Sequence, residues 1–421
     1  MSLIGGALAL ALLLAGPEAR VQDHVQRVAA ALELAETDAD AAARELELLA
    51  GRAPKVLLER LAATPATGPS GLPSGIEAEL LARALARLPQ PTLVDLLQVD
   101  QEHSVAARRA RLAVLSESRS REALDLALTL VSNAERPAAL TSALQATATA
   151  LHRRRDDVGE LLAARIPRVE LELVGPLAEA LASVDRDEST VQLAQLVGSV
   201  EPLDPFLLGV IASRAARSHA PLPTGAVESA RRALESGRDA TRREALIAAA
   251  RLDDYESVPR LIELLDDPHP GVAENARWAL EHLSHLHLDG EALRWRTWYE
   301  LNHRWWLEEW PALEAALLHG NHQETVDALR EVAGRSFERV EIARVTARVL
   351  DRTNDPSLLA YTCLALGTLR TSGIAPRVAP LLADPRPEVR QAAHRSLRSL
   401  TGLDLAPEAS LWSDALAGDA R

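Results

Sequence analysis

Apolar residues recur at intervals of three and four along residues 257–283, "SVPRLIELLDDPHPGVAENARWALEHL". The second half of this stretch has apolar residues on one face of an α-helix, at Val272, Ala276, Leu280 and Leu283. The first half predicts a shorter helix that Pro259 opens, with a second apolar stripe at Leu261, Leu264 and Leu265. Between them, Asp267-Pro-His-Pro270 cannot continue a helix, because proline lacks an amide proton and restricts the preceding residue. The pattern predicts a helix, a tight turn and a second helix.

The same pattern returns 117 residues later, where "IAPRVAPLLADPRPEVRQAAHRSLRSL" aligns with the first stretch without a gap from the Pro-Arg pair onward. The Asp-Pro-x-Pro turn recurs at Asp384 to Pro387, and the apolar helix positions recur at Val389, Ala393, Leu397 and Leu400. Trp295 also aligns with Trp412. The chain therefore contains two copies of one unit.

A shift of 31 residues identifies the neighbouring units, since Ala245, Ala249 and Leu252 align with Ala276, Leu280 and Leu283. Weaker helical patterning continues upstream in residues 104–115, 120–131, 137–151 and 191–200. Helix pairs that recur about every thirty residues cannot bury their apolar faces alone, and this is typical of an α-solenoid. The predicted fold class is therefore all-α, an α-solenoid of helix-turn-helix repeats.

These motifs resemble HEAT repeats, and more narrowly the short bacterial HEAT-like repeats first named for phycobilin lyases. The strong motifs cover about residues 222–290 and 340–403. The resemblance implies that the second helix of each repeat lines a concave face. The predicted partner-contacting residues are the positions on that helix that point away from the core, namely Glu274, Trp278, Glu281, Gln391, Arg395 and Arg398. Trp278 aligns with Ile247, so it is also a candidate for partial burial.

The repeats divide the chain into six predicted segments. These are a signal peptide (1–19), an N-terminal helical segment (20–63), a flexible linker (64–75), a HEAT-like solenoid (76–290), Trp-rich connecting helices (291–318) and C-terminal HEAT-like repeats with a capping tail (319–421). The linker assignment depends on "TPATGPSGLPSG", which has three prolines and three glycines in twelve residues.

Five of the seven tryptophans lie within residues 294–310, "RWRTWYELNHRWWLEEW", although aromatic residues make up only 3% of the chain. Trp295 and Trp412 each follow a block of repeats, and we interpret them as caps that cover the last apolar face. If 291–301 and 304–318 are two helices, Trp306 and Trp310 share one stripe of the second helix. Packing between two stacked blocks and an aromatic groove for a peptide or sugar both remain open, with Trp305 and Trp306 as the deciding residues.

Charge and cysteine content exclude several classes of function. The formal net charge is −14, and Lys55 is the only lysine, so the field of the whole chain repels phosphate backbones and nucleic acid is not an expected partner. Cys363 is the only cysteine and excludes an intramolecular disulfide and a cysteine-based zinc site.

No catalytic motif was found: there is no His-Glu-x-x-His, no Gly-x-Ser-x-Gly, no phosphate-binding glycine loop and no dinucleotide fingerprint. His282, His285, His287 and Asp289 could supply metal ligands, but the chain between His285 and His287 is expected to leave the helix, and histidine is also favoured at helix C-termini. We expect no catalytic residue, no metal and no cofactor.

The N-terminus predicts export. Residues 3–15, "LIGGALALALLLA", are apolar or small and too short to span a bilayer, which fits a signal peptide cleaved near Ala19. An uncleaved membrane anchor and an ordinary N-terminal helix in a cytoplasmic protein are the alternatives. The expected location is periplasmic or otherwise exported, with no stable membrane span after cleavage.

The sequence therefore predicts a non-catalytic scaffold that binds another protein through a curved surface. The alternative is a carbohydrate, peptide or small-ligand receptor centred on residues 294–310. A third hypothesis is an accessory subunit or a lyase-like enzyme, although no catalytic residue of the bilin lyases or the alkylpurine DNA glycosylases aligns with this chain.

Overall fold

The structure, a computed structural model, describes residues 17–97, 104–218, 222–288 and 291–418. Within these ranges every regular element is an α-helix or a short 3₁₀ helix, and no strand occurs. Consecutive helices pair and stack, so the predicted all-α solenoid is confirmed. The chain divides into two compact units, Met1–Leu193 and Ala194–Arg421.

In the first unit, two layers of helices stack. One layer contains the neighbouring helices α6 (Val105–Glu117), α8 (Thr141–Arg154) and α10 (Leu171–Ala182). Helix α7 (Ala123–Ser132) packs on α6 and α8, and α9 (Asp157–Arg165) packs on α8 and α10. Leucine and alanine fill the core, where alanine lets helices approach closely and leucine fills the space between them. The helices of this unit are α1 (Pro17–Leu34), α2 (Ala39–Arg52), α3 (Pro54–Ala63), α4 (Ile76–Ala86), α5 (Gln90–Leu97), α6 (Val105–Glu117), α7 (Ala123–Ser132), α8 (Thr141–Arg154), α9 (Asp157–Arg165) and α10 (Leu171–Ala182).

Helix α11 (Asp187–Leu196) spans the division, and the second unit continues the same construction. Helices α12 (Asp204–Arg217), α14 (Asp239–Arg251) and α16 (Pro270–Ser284) stack on one another. Helices α19 (His322–Val332), α22 (Pro356–Leu369) and α24 (Pro387–Thr401) form a later stack. The helices are α12 (Asp204–Arg217), α13 (Thr224–Ala233), α14 (Asp239–Arg251), α15 (Val258–Glu263), α16 (Pro270–Ser284), α17 (Ala292–Glu308), α18 (Trp310–His319), α19 (His322–Val332), α20 (Arg339–Ala347), α21 (Val349–Arg352), α22 (Pro356–Leu369), α23 (Ala375–Val378), α24 (Pro387–Thr401) and α25 (Ala409–Gly418).

The 117-residue repeat in the sequence is also a repeat in the structure. Helices α16 and α24 begin and end at corresponding residues, and so do the 3₁₀ helices Tyr255–Ser257 and Ser372–Ile374. Each second helix ends at a left-handed residue, His285 (φ 56°) in one copy and Gly402 (φ 73°) in the other. Trp295 and Trp412 are both fully buried, as expected of caps over the last apolar face.

The Asp-Pro-x-Pro turns end the first helix of each copy, as predicted. The Asp267 carboxylate accepts a hydrogen bond from the His269 amide at 2.9 Å, and the Asp384 carboxylate accepts one from the Arg386 amide at 2.9 Å. Proline occupies the first turn of each following helix, where its missing amide proton removes no helix hydrogen bond. The aspartate therefore satisfies a backbone amide that the turn would otherwise leave without a partner.

The Trp-rich segment differs from the sequence prediction. It was expected to form helices over 291–301 and 304–318, but one helix, α17, runs from Ala292 to Glu308, and α18 begins at Trp310. Residues 302–303 contain no helix breaker, whereas Pro311 lies in the first turn of α18 and sets its start. Trp306 and Trp310 therefore lie on different helices, and the prediction that they share a helix was wrong.

The predicted segment boundaries stay predictions. Residues 64–75 form a loop between α3 and α4, in which the Thr67 amide donates a hydrogen bond to Ser74 Oγ at 3.1 Å. Most of the predicted signal peptide lies outside the described residues, and the expected cleavage point near Ala19 falls in the first turn of α1. Among the described helices, none is both long and apolar enough to cross a bilayer.

Candidate functional site

Three of the predicted contact residues lie together on α24. Gln391, Arg395 and Arg398 are exposed and recur along one side of this helix, while Val389, Ala393 and Leu397 are buried on the other side. The three exposed residues line an open cavity of about 530 Å³, together with His394, Ser399, Gly402, Leu403 and Asp404. We call this cavity the α24 site. Its apolar lining is limited to Leu403, so it favours polar and charged contacts.

Two contacts shape the α24 site. Arg398 Nε lies 2.9 Å from Asp404 Oδ1, and both side chains are more than half exposed, so the ion pair contributes little to stability. His394 Nε2 lies 2.7 Å from the Leu405 carbonyl oxygen, which anchors the chain after α24 against the helix. Arg395 has no carboxylate partner within ion-pair distance in the described part of the chain. Its guanidinium is available to an external acceptor.

The other three predicted contacts lie on α16 and form a separate surface. Glu274 is exposed, whereas Trp278 and Glu281 are half-buried. The Trp278 indole stacks on the His282 ring, with centroids 5.1 Å apart, and the Arg251 guanidinium lies 5.4 Å from the Trp278 ring centroid. The partial burial expected for Trp278 is thus observed, and the indole is engaged by its own chain on two sides.

Burial, with help from Arg251 and Arg339, lowers the pKa of His282 to about 4, so this histidine is neutral at neutral pH. Asp289, the fourth ligand of the metal site considered from the sequence, lies outside the described residues. Among those that the structure does describe, no three His, Cys, Asp or Glu side chains are grouped to hold a metal ion.

Trp305 and Trp306 are each half-buried and each contact a neighbour from another helix or turn. The Arg335 guanidinium lies 4.1 Å from the Trp305 ring centroid, a cation–π contact. Trp306 stacks on Trp310 with centroids 5.1 Å apart and planes 9° from parallel. One indole face of each is therefore occupied by the chain itself.

The remaining aromatic residues of α17 converge on Phe337, which the sequence analysis did not single out. The rings of Trp298, Tyr299 and His303 meet Phe337 edge to face at 5.9, 5.9 and 6.4 Å, and Tyr255 meets it at 5.2 Å. Tyr255 Oη also donates a hydrogen bond to the Ser336 carbonyl oxygen at 2.9 Å. We call these five rings the Phe337 cluster. It joins the 255–257 turn, α17 and the chain before α20.

Arginine and carboxylate side chains surround the Phe337 cluster. Arg231 Nε donates hydrogen bonds to both carboxylate oxygens of Asp254, and Arg231 also pairs with Glu256. Arg339 Nη2 lies 3.0 Å from Asp253 Oδ1. Glu338, in a left-handed conformation at φ 52°, is half-buried beside them. Burial raises the pKa of Glu338 to about 7, with further contributions from Glu256 and Asp254.

The structure does not bring the eight predicted residues into one site. Gln391, Arg395 and Arg398 share the α24 site, but Glu274, Trp278, Glu281, Trp305 and Trp306 do not line it. A second cavity, of about 390 Å³, contains none of the eight and is lined by Arg251, Arg339, Arg344 and Arg370 among other residues. No sequence signal identified it, because its arginines come from three separate parts of the chain.

No family model and no curated protein sequence matches this chain. Solved structures that it resembles include an engineered protein, at 18% identity over 90% of this chain and 98% of that one, with a TM-score of 0.33. The karyopherin Kap121p bound to Pho4p matches at 11% identity over 94% of this chain and 51% of that one, with a TM-score of 0.34. A Kap121p mutant matches at 12% identity over 87% of this chain and 43% of that one, with a TM-score of 0.35. The chain thus spans about half the length of the karyopherin chains. Since these TM-scores are low, we base the fold class on the helix pairs of the chain itself.

Proposed function

We propose that this protein is a non-catalytic scaffold that binds another protein through the α24 site. The observation that carries the proposal is the division of α24 into two sides. The buried side forms the repeat core, whereas Gln391, Arg395 and Arg398 are exposed, and the fold does not require them. Stacked helix pairs place such side chains in a row on a long surface, which suits the recognition of an extended or folded partner.

The partner that fits the α24 site is acidic. Arg395 and Arg398 present two guanidinium groups, and guanidinium groups bind carboxylates through paired, charge-assisted hydrogen bonds. The partner must compete with Asp404 for Arg398, which it can do because that ion pair is exposed.

Charge reversal tests this proposal. The full chain carrying Arg395→Glu and Arg398→Glu should lose a specific partner in affinity capture from extracts of the source cells, while wild type retains it. A variant with Arg330→Glu and Arg348→Glu, also exposed in the same unit, has the same change in net charge and should retain the partner. The captured protein, once purified, should bind wild type directly. Retention of all partners by the Arg395/Arg398 variant would refute the role of the α24 site.

A second candidate function is a receptor that uses residues 294–310, because Trp305 and Trp306 keep part of each indole exposed and Leu293, Leu301 and Leu307 on the same helix are also exposed. Quenching by acrylamide in wild type, Trp305→Phe and Trp306→Phe separates the two cases. Substitutions that lower thermal stability and remove little quenchable emission would favour a structural joint. Substitutions that remove freely quenched emission at unchanged stability would favour a ligand platform.

We further propose that the protein is of bacterial origin and is exported to the periplasm, with residues 1–19 as its signal peptide. The apolar run of residues 3–15 supports export, and the resemblance of the repeats to short bacterial HEAT-like repeats supports bacterial origin. N-terminal sequencing of the protein from its source cells should give a mature chain that begins near Arg20. A chain that retains residues 1–19 would contradict cleavage.

A further inference from the structure

The 390 Å³ cavity in the second unit has more positive charge than the side chains around it neutralise. It lies between the C-terminal end of α14, the first turns of α20 and the chain that follows α22. Its lining includes the four arginines Arg251, Arg339, Arg344 and Arg370 and a single carboxylate, Asp253. We call it the arginine cavity.

Two of the four arginines have no acidic partner. Arg339 is buried and pairs with Asp253 at 3.0 Å, and Arg344 donates a hydrogen bond from Nε to Glu341 Oε2 at 2.6 Å. Arg251 and Arg370 are exposed, and neither lies within ion-pair distance of a carboxylate in the part of the chain that the structure describes. The cavity therefore brings positively charged side chains together in a chain whose net charge is −14.

The positive charge also acts on a neighbouring histidine, since Arg251 and Arg339 contribute, after burial, to the lowered pKa of His282. The carboxylates that oppose it are Glu341, Asp253 and Glu338. Glu341 and Asp253 each already pair with an arginine, and burial raises the pKa of Glu338 to about 7. An anion in the cavity would add a favourable interaction with Arg251 and Arg370 without breaking an existing ion pair.

The other walls of the arginine cavity are mostly apolar. Leu222, Val227, Leu252, Val340 and Ile374 contribute aliphatic side chains to the lining. A phosphate or another fully polar anion would make no contact with this apolar surface, whereas a purely apolar ligand would make no ionic contact with Arg251 or Arg370. The ligand should carry a carboxylate and an aliphatic group close together.

We propose that the arginine cavity binds the C-terminal residue of a partner polypeptide when that residue is aliphatic. A C-terminal leucine, isoleucine or valine has a carboxylate and an aliphatic side chain on one Cα, which matches the two kinds of wall. An internal aspartate or glutamate does not carry a branched aliphatic side chain on the same Cα as its carboxylate. The volume of about 390 Å³ lies at the small end for ligand pockets, which span roughly 300–1,000 Å³, and suits one residue with its terminal carboxylate.

This proposal rests on the proposed function, since it assigns a protein partner, but it concerns a different surface from the α24 site. The two can therefore fail independently. Loss of a partner in the Arg395→Glu and Arg398→Glu variant tests the α24 site, and the peptide measurement below tests the arginine cavity.

The test is fluorescence polarisation on the full chain with a fluorescein-labelled peptide, Gly-Ser-Gly-Ser-Leu, as the free acid and as the C-terminal amide. The acid should bind saturably at millimolar or lower concentration, and the amide about tenfold more weakly, because it lacks the charge-assisted hydrogen bonds. The same peptide ending in glycine should also bind more weakly. Octanoate, tested as a competitor, distinguishes a preference for lipid carboxylates.

A double variant, Arg251→Gln with Arg370→Asn, should weaken binding of the acid about tenfold and leave the amide unchanged. Asparagine is chosen because residue 370 has φ 53°, a left-handed conformation that asparagine tolerates. Arg348→Gln, an exposed arginine outside the cavity lining, is the matched control and should bind like wild type. Tryptophan emission checks that each variant is folded.

Three results would overturn the proposal. These are equal affinity for the acid and the amide, an unchanged affinity in a folded double variant, or no saturable peptide binding at millimolar concentration. In the third case, binding of octanoate would assign the cavity to a lipid carboxylate instead.

Discussion

At the scale of single residues, Phe337 connects the Trp-rich helix to the repeats. Four rings contact it edge to face, and the side chain is only 2% exposed. Edge-to-face contacts add to the stability that comes from burial itself. Trp298, Tyr299 and His303 of α17 therefore pack against a residue that lies 34 to 39 positions further along the chain.

Phe337→Ala should lower the free energy of unfolding by about 3–5 kcal/mol, because it leaves a cavity among the four rings. Urea denaturation followed by tryptophan emission measures the effect. Phe206→Ala is the control in the same unit, since Phe206 is the other phenylalanine and is 37% exposed. Equal losses in the two variants would show that Phe337 does not hold the cluster together.

Glu338 should make stability depend on pH. The pKa of its carboxyl is raised to about 7 in the folded chain by burial and by the nearby carboxylates of Glu256, Asp254, Glu341 and Asp253. Between the unfolded pKa and about 7 the folded state binds more protons than the unfolded state, so this carboxyl lowers stability as pH rises through that range. The loss is complete above pH 7.

Glu338→Gln should therefore raise the free energy of unfolding by about 1–3 kcal/mol at pH 8 and change it little at pH 4. Thermal denaturation should show the gain as a higher melting temperature at pH 8. The Glu338 side chain makes no capping hydrogen bond to α20 that glutamine would lose. Glu308→Gln, at an exposed position on α17, is the control and is measured at the same two pH values. A Glu338→Gln variant that behaved like this control would contradict the assignment.

At the scale of elements, the two Asp-Pro-x-Pro turns have the same backbone conformation, but their aspartates bind different arginines. Asp267 binds Arg242 of the preceding repeat, with Nε–Oδ2 and Nη2–Oδ1 distances of 3.0 and 3.1 Å, and both side chains are largely buried. Asp384 instead binds Arg386 within its own turn, where the guanidinium is 30% exposed. The Asp267 carboxylate thus contacts the preceding repeat directly. In the other copy the contact runs through Arg386, whose Nη1 also donates a hydrogen bond to the Asn354 carbonyl oxygen.

Asp267→Asn should cost about 2–4 kcal/mol of stability, because it leaves the buried Arg242 charge without its partner. Asp384→Asn should cost about 1 kcal/mol, since water can solvate Arg386. Chemical denaturation at neutral pH compares the two. A larger loss for Asp384→Asn would mean that the contact between repeats is not what makes the turn important.

At the scale of the whole molecule, the two compact units are unequal in their aromatic content. All seven tryptophans lie between residues 278 and 412, within the second unit. Tryptophan emission therefore reports the second unit alone, while helical circular dichroism reports both. Comparing the two signals measures how far the units unfold together.

A fragment of residues 187–421, which begins at the start of α11, should keep the emission maximum and the tryptophan-detected melting temperature of the full chain. Repeats depend chiefly on their nearest neighbours, so the second unit retains most of its stabilising contacts. The full chain in denaturing urea provides the unfolded reference. An emission maximum shifted toward that reference would show that the second unit requires the first.

Helix periods and proline positions predicted the helix pairs, because each depends on residues near one another in sequence. The 117-residue shift predicted that the pair recurs and that Trp295 and Trp412 occupy equivalent positions. Within α24, the exposed row Gln391, Arg395 and Arg398 also followed from the helical period. The break between α17 and α18 was predicted wrongly, although Pro311 was a local signal for it.

Helical periodicity and proline stereochemistry act over a few residues, so the helix pairs, their repeat and the exposed side of α24 follow from local sequence. The meeting points of separate segments follow only from the fold. It placed Phe337 against rings from α17 and the 255–257 turn, and it brought Arg251, Arg339 and Arg370 to one cavity. These contacts join residues from different repeats, and their positions depend on the twist and spacing of every helix pair between them, which no local pattern specifies.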